Sequence, residues 1–467
     1  MKFQLFDSIR LISLTLIFLI VAGCADTRLD WDDIIETNEL RFVTTESPAT
    51  YYESPTGPAG FEYELARRFA DSIGVKLKII TVNRSHDVVD SVIHHKASIG
   101  GATLINAGVD ASLKFGPAYF SVPQQLIYRR GDERPVSIPD TNGHNPAISL
   151  TQLGLLKDQY PQVNWNAYSD RDIDVLLRMV QHREIKSAVA TTQHVNIYKH
   201  LYPDIRVAFD ITKPQPVAWL YQDDDEKLHA AITKFFNKLE ETGELDKLVE
   251  HYFGHIIAFD YIDTSTFLTR VDNRLPEFEE LFKTIAGRYG MDWTLLAAIS
   301  YQESHWQPSA RSPTGVRGLM MLTQDTAEQL GVDDRVDPEQ SVDGGTRYFK
   351  LLLDKLPDRI SYPDNIWFAL AAYNVGLHHL EHARVVTQQG GGNPDSWSEV
   401  RKTLMKLGDD NWQPSTQNGP VRWNEPVRYV RNIRKYRDIL RWLTFEKNRM
   451  ARNNERLHAL SIDSPVL

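Results

Sequence analysis

The pattern of apolar residues changes part-way along the chain, and this change restricts the fold more than any other feature of the sequence. Residues 37–257 alternate short β-like runs, such as 40–44, with amphipathic helical stretches, such as 61–73. From about Val271 onward the pattern is helical. Alternating strands and helices predict an α/β unit with mostly parallel pairing, whereas sustained helical periodicity predicts an all-α unit. We therefore expect two domains of different class, with a junction at 258–270.

Length and charge agree with this division. At ~150 residues per domain, a chain of 467 residues makes two or three units. The chain has 62 acidic and 52 basic residues, a net charge of −10, and residues 268–467 hold 26 of each sign, so the excess lies in the first 267. This balance argues against a nucleic-acid partner, because phosphate binding needs a basic face.

The N-terminal segment has the pattern of an export signal. Residues 1–10 carry Lys2 and Arg10, and an unbroken run of apolar or hydroxyl residues over 11–22 follows, with Gly23 between its end and Cys24. A charged segment followed by about a dozen apolar residues is typical of a secretory signal peptide, and it is shorter than the ~20 residues of a membrane-spanning helix. Cys24 is the only cysteine, which excludes an intramolecular disulfide and a cysteine-rich metal site.

The end of this run, Val21-Ala22-Gly23-Cys24, resembles a bacterial lipobox. The resemblance implies a signal peptide over 1–23, cleavage before Cys24, acylation of its sulfur and a lipid-anchored linker over 24–36. Ala25 follows the cysteine, whereas Asp is the usual inner-membrane retention signal there in Gram-negative lipoproteins. The resemblance thus implies attachment at the periplasmic side of the outer membrane. The alternative is an ordinary signal peptide with a bystander cysteine.

One carboxyl group of the helical half falls on an apolar helix face. The predicted helix begins at a candidate N-cap, Asp292, and ends before Pro308. Glu303 comes four residues after Ile299 and eight after Leu295, so these three side chains share a face. Burial there raises the carboxyl pKa and keeps the group protonated near neutral pH, as proton delivery to a glycosidic oxygen requires. The alternative is a half-solvated Glu at a helix end with no function.

Three later segments supply candidate neighbours. Residues 312–323 combine turn residues with a Gly that permits close backbone approach. Gly344-Gly345 lies within a predicted helix and costs helix stability, which predicts close helix packing. Residues 366–374 are apolar nearly all round and predict a buried helix that ends in Tyr373-Asn374, whose polar groups need partners.

Together these residues resemble the family 1 (soluble-type) lytic transglycosylase domain, which is lysozyme-like and all-helical. The ordered motifs are Glu303-Ser304, Gly318-Leu319-Met320, Ala371-Ala372-Tyr373-Asn374 and Tyr429-Val430-Arg431-Asn432-Ile433. The first half resembles family 3 periplasmic solute-binding domains through residues 60–65 and 243–248. The resemblance implies a two-lobed α/β domain, similar to periplasmic binding proteins, over 37–257, a catalytic domain over 271–450 and a tail over 451–467.

The resemblance also implies a reaction. Such an enzyme cleaves peptidoglycan glycan strands between N-acetylmuramic acid and N-acetylglucosamine and leaves a 1,6-anhydro end. Glu303 occupies the position of the single acid–base residue, which protonates the glycosidic oxygen and then draws the proton from the attacking C6 hydroxyl. The motifs supply no second carboxylate, and the substrate acetamido group is thought to stabilise the cation. No cofactor is implied.

Further site residues are carried over from the same motifs. The implied substrate-binding residues are Gln302, Ser304, Met320, Tyr373, Asn374 and Tyr429. Ser304 would position the acetamido group or Glu303, and Met320 would line the sugar site. Tyr373 and Asn374 would contact the reacting sugars, whereas Tyr429 would lie near the acid. For Met320, Tyr373, Asn374 and Tyr429 the alternative is a structural role in the core without substrate contact.

Two departures from the families bear on function. Met321 stands where many relatives have Gln, which removes one side-chain hydrogen bond. In the first domain, the Arg that binds a ligand carboxylate is missing from 106–110, and the Asp that binds a ligand amine is missing from 190–192. A free amino acid would lack both charge partners. We expect a regulatory domain that binds a muropeptide or another small ligand, or one that has lost binding.

Other readings of the sequence stay open. A lysozyme-type hydrolase would use water in place of the C6 hydroxyl, and a non-enzymatic solute receptor would carry a degenerate helical domain. His378, His379 and His382 could hold zinc, but a surface helix is the alternative and we expect no metal. Residues 421–456 carry 11 Lys/Arg against 4 Asp/Glu, which predicts either a solvated helix face or a surface for an anionic polymer.

Overall fold

The fold is taken from a computed structural model. It describes residues 29–54, 56–105, 110–138, 145–253, 261–313, 315–409 and 423–462. The predicted signal peptide and Cys24 lie outside these residues. Within the described ranges, no helix combines the length and the apolar character that crossing a membrane requires.

The first domain consists of two large β-sheets and a separate two-stranded sheet, flanked by helices. Its strands are β1 (Glu39–Thr45), β2 (Tyr52–Ser54), β3 (Gly57–Ala59), β4 (Lys76–Val82), β5 (Ile99–Leu104), β6 (Leu113–Phe115), β7 (Phe120–Val122), β8 (Gln124–Arg129), β9 (Ala147–Ser149), β10 (Asn166–Tyr168), β11 (Ser187–Thr191), β12 (Ile205–Asp210) and β13 (Gln215–Gln222). One sheet has the order β4-β1-β5-β13-β6 with β7 beside β13, and the other has the order β10-β9-β11-β8-β12. The chain enters the second sheet after β7 and returns at β13, so two chain segments connect the lobes.

Strand pairing in this domain is mixed, so the prediction of mostly parallel pairing is wrong. β1 pairs in parallel with β4 and β5, and β9 pairs in parallel with β10 and β11. β8 and β13, by contrast, run antiparallel to every strand that they pair with among the described residues. These are the first strands after each passage between the lobes, and they enter their sheet from the opposite direction.

Helices cover the sheets of the first domain. They are α1 (Trp31–Thr37), α2 (Phe61–Ile73), α3 (Ser85–Ile93), α4 (Leu150–Gln159), α5 (Ile173–Gln181), α6 (Thr192–Tyr198), α7 (Glu226–Glu241) and α8 (Glu244–Phe253). The helix predicted over 61–73 is confirmed: Phe61, Leu65 and Phe69 are buried, and the chain leaves the helix at Gly74 with φ 74°. A left-handed residue of this kind is the usual glycine stop.

The second domain is entirely helical within the described residues. Its helices are α9 (Tyr261–Asn273), α10 (Leu275–Tyr289), α11 (Trp293–Ser304), α12 (Gln324–Leu330), α13 (Pro338–Asp354), α14 (Asp364–Val375), α15 (Leu377–Gln389), α16 (Trp397–Asp409) and α17 (Asn424–Ile462). α9 lies in the segment predicted as the junction, and its Phe267 is buried in the helical core. α11 and α14 are buried on nearly every side, as expected for the two apolar segments.

The long helix α17 contacts both domains. In its first third, the Arg434 guanidinium donates to the His251 carbonyl at 2.8 Å. Two to three turns further on, Trp442 and Phe445 are buried in the core of the second lobe, where Trp442 meets the Tyr198 ring at 5.6 Å. Because α17 contributes to the cores of both domains, it ties them together.

Part of the basic stretch predicted at 421–456 is buried against neighbouring elements, whereas Arg428 and Lys447 in the same stretch are exposed. Arg434, Lys435, Arg437 and Arg441 are all less than 9% exposed. Lys435 pairs with Asp263, and Arg434 also lies over the Trp367 ring at 4.6 Å. Periodicity alone marks the charged side of a helix but cannot tell water from a neighbouring helix or domain, so the burial of these four residues was not predictable from it.

Candidate active site

α11 presents Glu303 at its last turn. The helix begins at Asp292, whose Oδ1 accepts from the Thr294 amide at 3.0 Å, and it ends at His305 in the left-handed region. Ala, Leu and Ile fill the turns between these points and are buried. An apolar, well-capped helix thus carries the carboxyl group to the edge of the core, as the sequence predicted.

Burial and one hydrogen bond control the Glu303 carboxyl group. Burial raises its pKa to about 7, and the hydroxyl of Tyr429, which donates to Oε1 at 2.5 Å, acts in the opposite direction. The residue nevertheless keeps partial exposure, and within the described chain its Oε2 accepts no hydrogen bond. A carboxyl group with these properties is half-protonated near neutral pH and has a free oxygen.

Tyr429 and Tyr373 are both neutral hydrogen-bond donors. Burial raises the pKa of each phenol well above its usual value, and the nearby Glu303 carboxylate adds to the shift. The Tyr373 hydroxyl donates to the Met320 carbonyl at 2.9 Å, and its ring meets that of Tyr348 at 5.3 Å. Tyr373 therefore joins the third motif to the second, beside the acid.

Besides Tyr373, serine hydroxyl groups of α11 and α13 bond to the backbone of the Gly318-Leu319-Met320 motif. Ser300 and Ser304, one turn apart on α11, both donate to the Leu319 carbonyl at 3.0 Å. The Met320 amide donates to Ser341 Oγ at 3.2 Å. The motif is thus bonded to the helix that carries Glu303.

Glycine is required within this motif, at Gly318, and in α13, which packs against it. Gly318 has φ 87°, and a Cβ there would lie 1.7 Å from the Arg335 carbonyl oxygen. A Cβ on Gly345 would lie 2.5 Å from Met320 Cβ, and one on Gly344 would lie 2.6 Å from Val332. The predicted close packing at the glycine pair is confirmed. Met320 is fully buried in this contact.

The remaining predicted residues differ in their surroundings. Asn374 is exposed at the end of α14, and Gln302 is partly exposed beside the acid. Ser304 is buried, and its hydroxyl is engaged with backbone carbonyls of Ser300 and Leu319. The structure thus brings Glu303, Tyr429, Tyr373 and the second motif together, and Asn374 follows Tyr373 at the surface.

Sequence reasoning missed the residues that support this group. Ser341 was not singled out, because a Ser within a helix gives no signal of a tertiary partner. Ser300 lies one turn before Ser304, and this i, i+4 hydroxyl pair was the only available hint. Arg437 and Arg441, both bound to Asp292, were counted with a charged face instead.

The histidines of α15 pack against an aromatic ring. The His379 and His382 rings lie 5.8 and 6.0 Å from that of Trp423, and His378 lies 5.8 Å from His379. Within the described chain, no group of three or more side chains has the arrangement of a metal site. The side of α15 that carries these histidines is partly exposed, as the surface-helix alternative predicts.

A cleft lies between the two lobes of the first domain. Its lining includes hydroxyl and amide groups from both lobes together with Glu62, His194 and several apolar side chains, and the described lining residues include no Lys or Arg. Gln152 Nε2 is buried there and finds no hydrogen-bond partner among the described residues. Thr191, where the sequence lacks the amine-binding Asp, lines the cleft and caps α6 by accepting from the His194 amide. Of the segment that lacks the Arg, residues 106–109 lie outside the described residues.

The two lobes are bonded to each other across this cleft. The amide and hydroxyl of Ser85, at the start of α3, donate to Asp172 Oδ2 at 3.0 and 2.8 Å. Arg84 donates to the Ser169 carbonyl at 2.7 Å. Asp172 is also the N-cap of α5 in the second lobe. The domain is therefore in a closed arrangement, stabilised by its own side chains.

Comparison with known proteins agrees with both halves. Residues 40–255 match the bacterial extracellular solute-binding proteins of family 3, and residues 280–394 match the transglycosylase SLT domain. Membrane-bound lytic murein transglycosylase F of Yersinia enterocolitica is 43% identical over 92% of this chain and 89% of its own. The chain belongs to the membrane-bound lytic murein transglycosylase F family. The family resemblances and the two fold types expected from the sequence are confirmed.

Other relatives match over a similar length. The proteins of the same name from Yersinia pestis and Serratia proteamaculans are 43% and 41% identical, over 93% and 90% of this chain and 91% and 87% of theirs. Among solved structures, the amino acid ABC transporter substrate-binding protein AbpA of Streptococcus pneumoniae is 20% identical with a TM-score of 0.44, over 49% of this chain and 100% of that one.

Proposed function

We propose that the chain cleaves peptidoglycan between N-acetylmuramic acid and N-acetylglucosamine, with Glu303 as the single acid–base residue. The observation that carries the proposal is the Glu303 carboxyl group, whose pKa burial raises to about 7 and which keeps one oxygen free. An acid of this pKa is protonated often enough to donate and ionised often enough to accept. The membership of the chain in its family supports the choice of substrate.

The proposed reaction has two proton transfers and uses no water. Glu303 first donates its proton to the glycosidic oxygen, and the bond from that oxygen to muramic C1 breaks. The electron-poor C1 is then attacked by the C6 hydroxyl of the same sugar. The O6–C1 bond forms while the Glu303 carboxylate takes the hydroxyl proton, which returns the acid to its starting state. The products are a free N-acetylglucosamine end and a 1,6-anhydro-N-acetylmuramic end.

The surroundings of Glu303 favour this route over hydrolysis by a carboxylate pair. Burial and the Tyr429 hydroxyl account for its pKa, and no described Asp or Glu contributes to the shift. A retaining glycosidase holds its two carboxyl groups only about 5 Å apart, a separation at which each would raise or lower the pKa of the other. The lack of such an influence supports an internal nucleophile, the C6 hydroxyl, rather than a second acid.

Substrate contacts are proposed on the same basis. The exposed Asn374 and the partly exposed Gln302 are placed to meet a sugar, and Tyr429 would hold the carboxylate between the two proton transfers. Ser304 and Tyr373, whose hydroxyls are bonded to backbone carbonyls of the second motif, would act by fixing that motif. Met320 would shape the sugar site from beneath.

The test is the product mass of purified peptidoglycan digests. Wild-type protein should release muropeptides that are one water lighter than reducing-end products, and Glu303→Gln should release none. Glu328→Gln, which changes an exposed glutamate of α12 in the same way, is the matched control and should retain activity. Products with ordinary reducing ends would identify a hydrolase, and an active Glu303→Gln would overturn the assignment of the acid.

For the first domain we propose a regulatory role with an amide- and hydroxyl-rich ligand such as a muropeptide. The cleft offers hydroxyl groups and the free Gln152 Nε2 donor, but its described lining residues supply no cation for a ligand carboxylate. A free amino acid would therefore bind weakly. Calorimetry should detect binding of soluble muropeptides and none of free amino acids. Micromolar affinity for an amino acid would contradict the proposal.

Attachment to the outer membrane through Cys24 is proposed from the lipobox resemblance. The names of the relatives describe them as membrane-bound. Cys24→Ser should abolish incorporation of radioactive palmitate and release the protein from the membrane fraction. Labelling that persists in this variant would contradict lipidation, because the chain has no other cysteine.

A further inference from the structure

A buried group of three charged residues joins α11 to α17 at the end of α11 opposite to Glu303. Asp292 Oδ2 lies 3.1 Å from Arg437 Nε and 2.7 Å from Arg441 Nη2. The three side chains, here called the helix clamp, are 4–8% exposed. Burial acts to raise the pKa of Asp292, but the two guanidinium groups outweigh it and lower the value to about 2.

The two oxygens of Asp292 have separate tasks. Oδ1 accepts from the amide and hydroxyl of Thr294 at 3.0 and 2.6 Å and so caps α11, whereas Oδ2 binds both arginines. A helix cap needs only the first of these. The second interaction fixes α17 against the start of α11, and the proposed reaction gives it no role.

Spacing along the two helices relates the clamp to the acid. Glu303 lies eleven residues after Asp292, about 16 Å at 1.5 Å per residue. Arg437 and Arg441 lie eight and twelve residues after Tyr429, about 12 and 18 Å. The helices run in opposite directions, so the clamp closes one end of their interface and the Tyr429–Glu303 hydrogen bond closes the other.

The interface between these two ends is apolar and aromatic. The Tyr301 ring meets the Tyr436 ring at 4.7 Å, and Phe267 packs against Tyr436 at 4.6 Å. Such contacts favour packing but do not by themselves fix the position of one helix along the other; α17 is also bonded to α9 through Tyr436 and Asp263. A slide of a single residue would move Tyr429 by about 1.5 Å, enough to break a hydrogen bond of 2.5 Å.

We propose that the helix clamp is a positioning device for the acid: it sets the axial register of α17 on α11 and so holds the Tyr429 hydroxyl against Glu303. Buried polar groups that fix the register of packed helices are the best-attested use of such interactions. The proposal rests on the assignment of Glu303 as the acid. It adds three residues that act only through Tyr429.

The test is a double-mutant cycle between Arg441 and Tyr429, measured on full-length protein with purified peptidoglycan. Arg441→Met should lower kcat about tenfold in the wild-type background, with KM changed less than twofold. In the Tyr429→Phe background the same substitution should lower kcat less than twofold, because the hydrogen bond that it misplaces is already gone. Equal losses in both backgrounds would overturn the proposal.

Two further variants separate positioning from folding. Removing one charge of the clamp leaves the others buried and unpaired, so the triple variant Asp292→Asn/Arg437→Met/Arg441→Met removes all three together and keeps an acceptor for the cap. It should stay folded by circular dichroism and still show the tenfold loss of kcat, and a folded triple variant with wild-type kcat would contradict the clamp. Arg384→Met breaks another buried ion pair of the same domain, with Asp395, and should show no coupling to Tyr429.

A failure of the clamp proposal can be distinguished from a failure of the assignment of Glu303 as the acid. If Glu303→Gln retains activity, the assignment of the acid fails whatever the cycle shows. If Glu303→Gln is inactive and the cycle is additive, only the clamp fails. The pH dependence of kcat gives an independent reading: Arg441→Met should move the alkaline limb in the same direction as Tyr429→Phe, a change that a loss of folded protein would not produce.

Discussion

One glutamic acid in each half of the molecule has its pKa raised to about 7 by burial, and the two residues differ in what they can do. They are Glu62 in the first domain and Glu303 in the second. Glu62 accepts from Tyr119 at 2.6 Å on one oxygen and from Trp219 at 3.0 Å on the other, and it is 1% exposed. Glu303 accepts from Tyr429 on one oxygen only and keeps partial exposure.

The comparison teaches that a raised pKa does not by itself identify an acid catalyst. Both carboxyl groups have the same perturbation from the same cause, the loss of water around the charged form. Each oxygen of Glu62 accepts a hydrogen bond from an aromatic side chain of the first lobe, and the residue is almost fully buried although it borders the cleft between the lobes. Glu303 has one oxygen without a hydrogen bond and is partly exposed. Access and an unused oxygen, rather than the pKa, separate the catalytic role from the structural one.

The largest expected effect is on turnover. Glu303→Gln should lower kcat about 10²- to 10⁴-fold, because the amide cannot donate a proton to the glycosidic oxygen. Glu62→Gln should change kcat less than twofold under the same conditions, measured by release of soluble muropeptides. A large loss of turnover in Glu62→Gln, in protein shown to be folded, would break the comparison.

A pair of glycine substitutions tests how tightly each half is built. Gly318→Ala should destabilise the protein by about 2–5 kcal/mol, because the residue has φ 87° and its new Cβ would meet the Arg335 carbonyl. Gly154→Ala, in α4 of the first domain, meets nothing within 4 Å and should stabilise by about 0.5–1 kcal/mol. Thermal unfolding of both variants is the measurement, and similar shifts of Tm would contradict the expected difference.

The pH dependence of stability should identify the enclosed carboxyl group. Because the folded state holds the Glu62 proton with a pKa of about 7 and the ordinary value is 4.5, folding is favoured below 4.5. This contribution, about 3 kcal/mol at most, is lost as pH rises from 4.5 through about 7. Glu62→Gln should therefore flatten the fall of Tm across that window. An unchanged slope would show that Glu62 ionises as readily in the folded chain as in water.

Much of this arrangement was predictable from the sequence, because it depends on local periodicity. The face shared by Leu295, Ile299 and Glu303 is a repeat of four, which predicted an apolar setting for the carboxyl group but left its function open until the later motifs were added. The helix of Phe61 and its glycine stop follow from the same rule. These predictions concern neighbours within about two turns of one helix, where sequence spacing fixes geometry.

What could not be predicted depends on partners that are distant in sequence. Asp292 was expected only as a helix cap, yet its second oxygen binds Arg437, 145 residues away. Three arginines of α17 that the sequence placed on a charged face are buried instead: Arg434 bonds to the His251 carbonyl of the first domain, and Arg437 and Arg441 bond to Asp292. Tyr119 and Trp219 meet at Glu62 from different strands and loops, and no spacing in the sequence signals that meeting.

A smaller effect is expected when the hydrogen bond to the acid is removed. The Glu303 pKa is about 7, so kcat/KM should fall as pH rises through that value, since the ionised group cannot donate. The Tyr429 hydroxyl acts to lower this pKa, so Tyr429→Phe should move the alkaline limb to higher pH, by about one pH unit or less. Glu62→Gln should leave the limb in place. A limb that follows Glu62 instead would reverse the roles of the two groups.

The smallest expected effect concerns the opening of the two lobes. It tests whether the first domain moves while the catalytic domain stays rigid. Ser85→Ala removes one of the two bonds to Asp172 across the cleft and should weaken closure of the lobes by about 0.5–1.5 kcal/mol. Distances between spin labels on the two lobes should broaden toward an open form. Ser341→Ala, which removes an equivalent bond to the Met320 amide, should leave its surroundings unmoved, because the second motif is also held by Ser300, Ser304 and Tyr373. Equal broadening around Ser85 and around Ser341 would mean that the catalytic half is as mobile as the cleft. The contrast between the two halves would then rest on the carboxyl groups alone.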